Sequence, residues 1–99
     1  MTTLTLSDIL DDLRQAEEGL HKFERRYWIS SDDFFNLYSL GQLDDGENVE
    51  DFAEWAGHYK LRQKRLAALE QLSKQRLETL RQHSEHIRLT PAEPALKLA

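Results

Sequence analysis

Apolar residues recur along the first part of the chain at Leu6, Ile9, Leu10, Leu13, Ala16, Leu20, Phe23 and Tyr27. Spacings of three and four put them on one side of an α-helix, while charges such as Glu17, Glu18 and Arg25 fall elsewhere. Ser7 is suited to cap this helix, because its hydroxyl can accept a bond from a backbone N–H that the first turn leaves unpaired. Asp8, Asp11 and Asp12 follow, where the helix dipole favours negative charge. Gly19 costs a helix about 1 kcal/mol relative to alanine. Its place in mid-helix predicts a close contact with another backbone.

The periodicity breaks at Trp28-Ile29 and restarts at once. Ser30 is a second capping residue, Asp33 can complete a capping box, and Ile29 and Phe34 have the spacing of a hydrophobic staple. A short helix over about 31–40 carries Phe34, Phe35, Leu37, Tyr38 and Leu40, and Gly41 ends it as a left-handed residue. Residues 42–47 form an acidic turn marked by Asp45-Gly46. Asn48 then caps a third helix, with Asp51 at the capping-box position. Phe52, Trp55, Ala56 and Tyr59 share its first turns, and the apolar positions continue through Leu66, Leu69, Leu72, Leu77 and Leu80. Neither proline nor glycine interrupts residues 58–86.

A helix over about 49–85 is about 55 Å long, whereas the first helix, at roughly 30 Å, is too short to cover it. The apolar face around Leu69 to Leu80 is therefore expected to pair with a second copy or another protein, or to stay partly unfolded. Arg62, Ser73 and Arg76 interrupt the heptad seam, which favours a loose antiparallel or dimeric contact over a regular coiled coil. Both prolines lie in residues 90–99, a stretch expected to be disordered when free, with Leu96 and Leu98 as its apolar anchors. The predicted fold is all-α: a helical hairpin with a short middle helix and a long, coiled-coil-like C-terminal helix. It forms one domain over 1–88 and a flexible tail over 89–99.

Composition narrows the chemistry. At 99 residues, with 39% hydrophobic and 31% charged, the chain is a single small domain with a lean core. The absence of cysteine excludes disulfides, thiolate metal sites and cysteine nucleophiles. Residues 1–6 show no basic region leading into an apolar run, and no stretch approaches about 18 apolar residues. A cytoplasmic location without membrane insertion is expected. The net charge of −5 is unevenly spread: residues 1–59 hold 4 Lys/Arg and 14 Asp/Glu, and residues 60–88 hold 8 Lys/Arg and 3 Asp/Glu. Either the two halves pack against each other, or the acidic half steers a basic partner.

Candidate ligands for metal are few. His83 and His86 lie three apart with Glu85 between them, but no further ligand is near in sequence. Glu18-x-x-His21 has the spacing used in di-iron bundles, which need two such motifs and two more carboxylates. The acidic pairs Asp11/Asp12, Asp32/Asp33, Asp44/Asp45 and Glu50/Asp51 sit at helix starts and turns, where capping accounts for them. No phosphate loop or nucleophilic grouping is present. Neither cofactor, metal nor enzymatic activity is expected. The basic run Lys60, Arg62, Lys64 and Arg65 raises nucleic-acid binding. The sequence pI near 5.3 argues against strong binding by this chain alone.

One family shares the central pattern. Phe23-Glu24-x-x-Tyr27, Ser30-x-x-Asp33-Phe34, Gly41-x-Leu43 and Asp51-Phe52-x-Glu54-Trp55-Ala56 resemble a family of small helical bacterial proteins. That family carries FE-x-KYG-x-S-x-EEF, an acidic G-x-L turn and D-x-x-EWA. The resemblance spans about residues 13–70. Trp28 stands where glycine is usual, and Asp33 replaces a common glutamate. It implies an antitoxin of a two-gene toxin–antitoxin module that neutralises a cognate toxin, a ribonuclease, by direct contact. The alternatives are a structural or adaptor homodimer joined through residues 60–86, and a metal-dependent helical enzyme.

The same residues have a plain structural role. Phe23, Tyr27, Phe34, Phe52, Trp55 and Tyr59 are expected to form the junction of the three helices, with Glu24 and Glu54 bonding backbone or basic groups across it. A partner is expected to touch Trp28, Phe35, Tyr38, the acidic turn with Asp44, Asp45, Glu47 and Glu50, and Leu69, Leu72, Leu77 and Leu80 of the long helix.

Overall fold

Three helices account for the fold in a computed structural model that describes residues 4–43, 46–82, 86–87 and 89–91. They are α1 (Leu6–Tyr27), α2 (Ser31–Ser39) and α3 (Val49–Arg81). The helical hairpin of α1 and α3, bridged by the short α2, is the all-α architecture expected from the apolar pattern. No helix among the described residues is long and apolar enough to cross a membrane. The expected tail falls mostly outside the described residues, as do Leu96 and Leu98.

Helix ends follow local chemistry with two corrections. α1 is capped by Thr5 rather than Ser7: the Thr5 hydroxyl accepts from Asp8 N–H, and the Asp8 carboxylate accepts from Thr5 N–H. Thr5-x-x-Asp8 is itself a capping box and satisfies two orphan donors at once, so Ser7 is left in the first turn. Ser30 caps α2 by accepting from Asp33 N–H at 3.1 Å. At the other end, Gly41 is left-handed with φ 68°. Gln42 N–H reaches Leu37 carbonyl and Gly41 N–H reaches Tyr38 carbonyl, the paired bonds of a Schellman stop. Asn48 precedes α3 without a side-chain capping bond, against expectation. α3 ends at Arg81; residues 83–85, within the expected helix, lie outside the described part.

Contacts between α1 and α3 fix an antiparallel register. Tyr27 meets Asp51, Lys22 meets Glu54, Gly19 meets His58 and Asp12 meets Arg65. Extended to Leu6, this register brings the start of α1 level with Gln71 and Leu72. α3 therefore overhangs α1 by about ten residues, fewer than its sequence suggests. Leu72 is only 3% exposed and Ile9 is wholly buried. Beyond Leu72, the Arg76 guanidinium of α3 donates to the Thr90 carbonyl at 2.7 Å.

Four carboxylates of the acidic half are bound to the basic half or to basic residues of α1. Asp12 pairs with Arg65 at 2.7 Å, Asp32 with Arg62, Asp51 with Arg26 and Glu54 with Lys22. The charge asymmetry along the sequence is thus used partly to join the helices.

Candidate functional site

At the end where all three helices meet, seven aromatic side chains pack into one cluster. Phe34 and Trp55 lie face to face, 3.8 Å between centroids and 3° from parallel. Phe23 and Tyr27 each stack on Trp55 at 5.6 Å, and Phe52 packs tilted against Tyr27 and Phe34. Tyr59 extends the cluster by stacking on Phe35 at 4.4 Å. The expected core motif is therefore assembled as one unit, with Leu20 and Ala56 filling it.

A chain of hydrogen bonds runs through this apolar cluster. Trp55 Nε1 donates to Ser31 Oγ at 2.9 Å, and Ser31 Oγ donates to Glu24 Oε2 at 2.8 Å. The Ser31 N–H also donates to Glu24 Oε2, at 3.0 Å, and His21 Nδ1 lies 2.7 Å from Glu24 Oε1. One carboxylate on α1 thereby holds the first residue of α2, which in turn holds the indole of α3. Burial works to raise the Glu24 carboxyl's pKa, but the bonds from His21 and from the Ser31 side chain and backbone outweigh it. The carboxyl is held below its ordinary value. Tyr59 is shifted upward, because its phenol donates to Asp32 and burial adds to the effect.

Ser31 is the residue that sequence reasoning missed. It is 2% exposed and has no free lone role as a nucleophile, since its hydroxyl is engaged on both sides. Gly19 also differs from expectation. Its neighbour is a side chain, not a backbone: a Cβ on Gly19 would stand 2.5–2.7 Å from the His58 ring. Glu54 bonds Lys22, as an acidic residue at this junction was expected to do.

The expected partner-facing residues are scattered. Trp28 is 92% exposed and takes the left-handed conformation, φ 60° and ψ 38°, at the end of α1. It is the one non-glycine residue with positive φ among those described. Tyr38 is 36% exposed, and Phe35 is half-buried on Tyr59. Glu47 and Glu50 are exposed; Asp44 and Asp45 lie outside the described residues. Leu69, Leu77 and Leu80 are half-buried. Leu72 is corrected: it is buried, at 3% exposed, rather than open to a partner.

Among the described residues no three His, Cys, Asp or Glu side chains converge on a point fit for a metal ion. His21, of the Glu18-x-x-His21 motif, turns instead to Glu24 and Glu17. His83 and Glu85 lie outside the described residues. A polar hollow of about 350 Å³ at the start of α3 is lined by Arg26 and residues 46–51. A second, apolar groove of about 460 Å³ is lined by Phe35, Tyr59, Lys60, Gln63 and Lys64. The chain matches no protein-family model, no curated protein and no solved structure with which it was compared.

Proposed function

We propose that this chain is an antitoxin-like protein-binding module that neutralises a cognate ribonuclease toxin by direct contact, with Trp28 as its anchor. The observation that carries this reading is the state of Trp28. An L-residue in the left-handed helical region costs about 1 kcal/mol, and glycine would end α1 there without that cost. A large indole is also left in water, away from the nearby aromatic cluster. Two unfavourable features at one residue mark a position kept for something outside the chain, and tryptophan is among the residues enriched at binding hot spots.

Several features fit a binding role without catalysis. The polar groups at the junction are committed to one another, and the hydroxyl of Ser31 is inaccessible. The resemblance of residues 13–70 to antitoxin-like proteins names the class of partner. Its usual glycine at position 28 suits the left-handed backbone found there. Because Asp12, Asp32, Asp51 and Glu54 are already paired internally, masking of a basic RNA-binding groove would rest on carboxylates such as Glu18, Asp33 and Glu50.

Co-expression with the product of the adjacent gene tests this reading. A stable complex and restored growth are expected. Trp28→Gly should lose the complex while its thermal unfolding stays level or rises by about 1 kcal/mol in stability. A neighbour that is neither toxic nor bound contradicts the proposal, as does a Trp28→Gly protein that binds like the native one. A helical homodimer is a second reading, favoured by the uncovered face of α3.

A further inference from the structure

α1 and α2 leave one arc of α3 bare. α1 meets α3 through Asp51, Glu54, His58 and Arg65. α2 meets it through Phe52, Trp55, Tyr59 and Arg62. With about 3.6 residues per turn, these sets fill two neighbouring arcs of the helix, and Val49, Ala53, Gly57, Lys60 and Lys64 fall on the third. Val49 is 62% exposed, and a Cβ on Gly57 would meet nothing within 4 Å.

Two complementary features lie on this arc or at its border with α2. One is the apolar groove floored by the stacked Phe35 and Tyr59 and rimmed by Lys60 and Lys64. Neither lysine has an ion pair among the described residues, although Lys22, Arg26, Arg62 and Arg65 all do. The other is the exposed pair Val49 and Glu50, an apolar side chain beside a carboxylate that also lacks an ion pair among the described residues. Glu50 and Lys64 are two heptads apart, about 21 Å along the helix and on nearly the same face. Gly57 lies midway between them.

We propose that a second copy of this chain docks on this face, α3 against α3 and antiparallel, about a twofold axis at Gly57. Glu50 of each copy then lies opposite Lys64 of the other, and Val49 of each enters the other's Phe35–Tyr59 groove. The contact is self-complementary, as a twofold interface requires. The charge pairs set the register and the apolar insertion drives association. This surface spans residues 49–64 of α3 and shares only its Lys60–Lys64 end with residues 60–86, where the sequence alone placed a dimer contact; it does not use Trp28.

Two experiments on the full chain decide it. The protein has no cysteine, so Gly57→Cys introduces a single thiol on the axis. Under mild oxidation it should form a disulfide-linked dimer far faster than Arg14→Cys, placed on the exposed side of α1. In sedimentation velocity, the native chain should dimerise, and Lys64→Glu or Glu50→Lys should each weaken the dimer on the order of tenfold. The combined Glu50→Lys/Lys64→Glu swap should restore it. A monomeric native chain, a swap that restores nothing, or cross-linking no faster than at position 14 overturns the proposal. Circular dichroism identical to native confirms that each variant is folded.

Discussion

The two ends of the hairpin are built differently. At the junction, residues 20–59 contribute seven packed aromatic rings, a carboxylate accepting from three donors, and a buried indole with its N–H satisfied. In the distal part, residues 73–81 of α3 have no helix opposite them in the register among the described residues, and their leucines Leu77 and Leu80 are only half-buried. A small domain has little core to distribute. Here most of it is gathered where three helices meet, with Ile9, Ala16 and Leu72 buried outside that cluster, and the end of the long helix is held by its own hydrogen bonds and a few side-chain contacts.

The largest effect should come from removing the centre of the junction. Trp55→Ala is expected to cost about 3–5 kcal/mol, a large share of the stability of a domain this size. Leu77→Ala should cost about 1 kcal/mol or less. Urea unfolding followed by circular dichroism measures both, and equal losses would erase the contrast between the ends.

Glu24 sharpens the contrast through pH. Its carboxyl is held below its ordinary value of 4.5. A depressed native pKa gives stability that is present above the unfolded-state value and is lost as pH falls through the native one. The native chain should therefore lose stability on acidification below about pH 4.5, and Glu24→Gln should lose less over the same interval. At neutral pH, Glu24→Gln should cost about 1–3 kcal/mol, since it weakens the bonds from Ser31 and His21. Unfolding midpoints across pH for the two proteins measure this; parallel curves would show that Glu24 does not hold α2.

The smallest expected effect lies between the two ends. Gly19→Ala gains helix propensity of about 1 kcal/mol but forces the His58 ring to move. A net loss is expected for Gly19→Ala alone, and that loss should vanish or reverse in a His58→Ala background. Such non-additivity is the signature of two groups in contact. Additive effects would mean that His58 moves aside freely.

Much of this arrangement was legible in the sequence, because periodicity reports which residues share a helix face. Phe23, Tyr27, Phe34, Phe52, Trp55 and Tyr59 could be grouped before any coordinates, and so could the stop at Gly41. What stayed hidden depends on how the helices meet. Ser30 and Ser31 are adjacent and alike in sequence. Only the turn after Trp28 sends Ser31 inward to Glu24 and Trp55. The neighbour of Gly19 is 39 residues away in the chain, so the glycine signalled a close contact without naming His58. Leu72 looked uncovered because helix lengths alone do not set the register, and α1 reaches its level. Thr5 and Ser7 are both plausible caps by type; Thr5 prevails because Asp8 returns the bond.

Native-state hydrogen exchange tests the division between the two ends most directly. Amides of α1 from Ala16 to Tyr27 and of α3 from Phe52 to Tyr59 should exchange only through global unfolding, with the same free energy and the same dependence on denaturant. Amides of residues 75–81 should exchange through local opening, at much lower free energy and almost independent of denaturant. Protection of residues 75–81 equal to that of the junction in the monomeric chain would contradict this account.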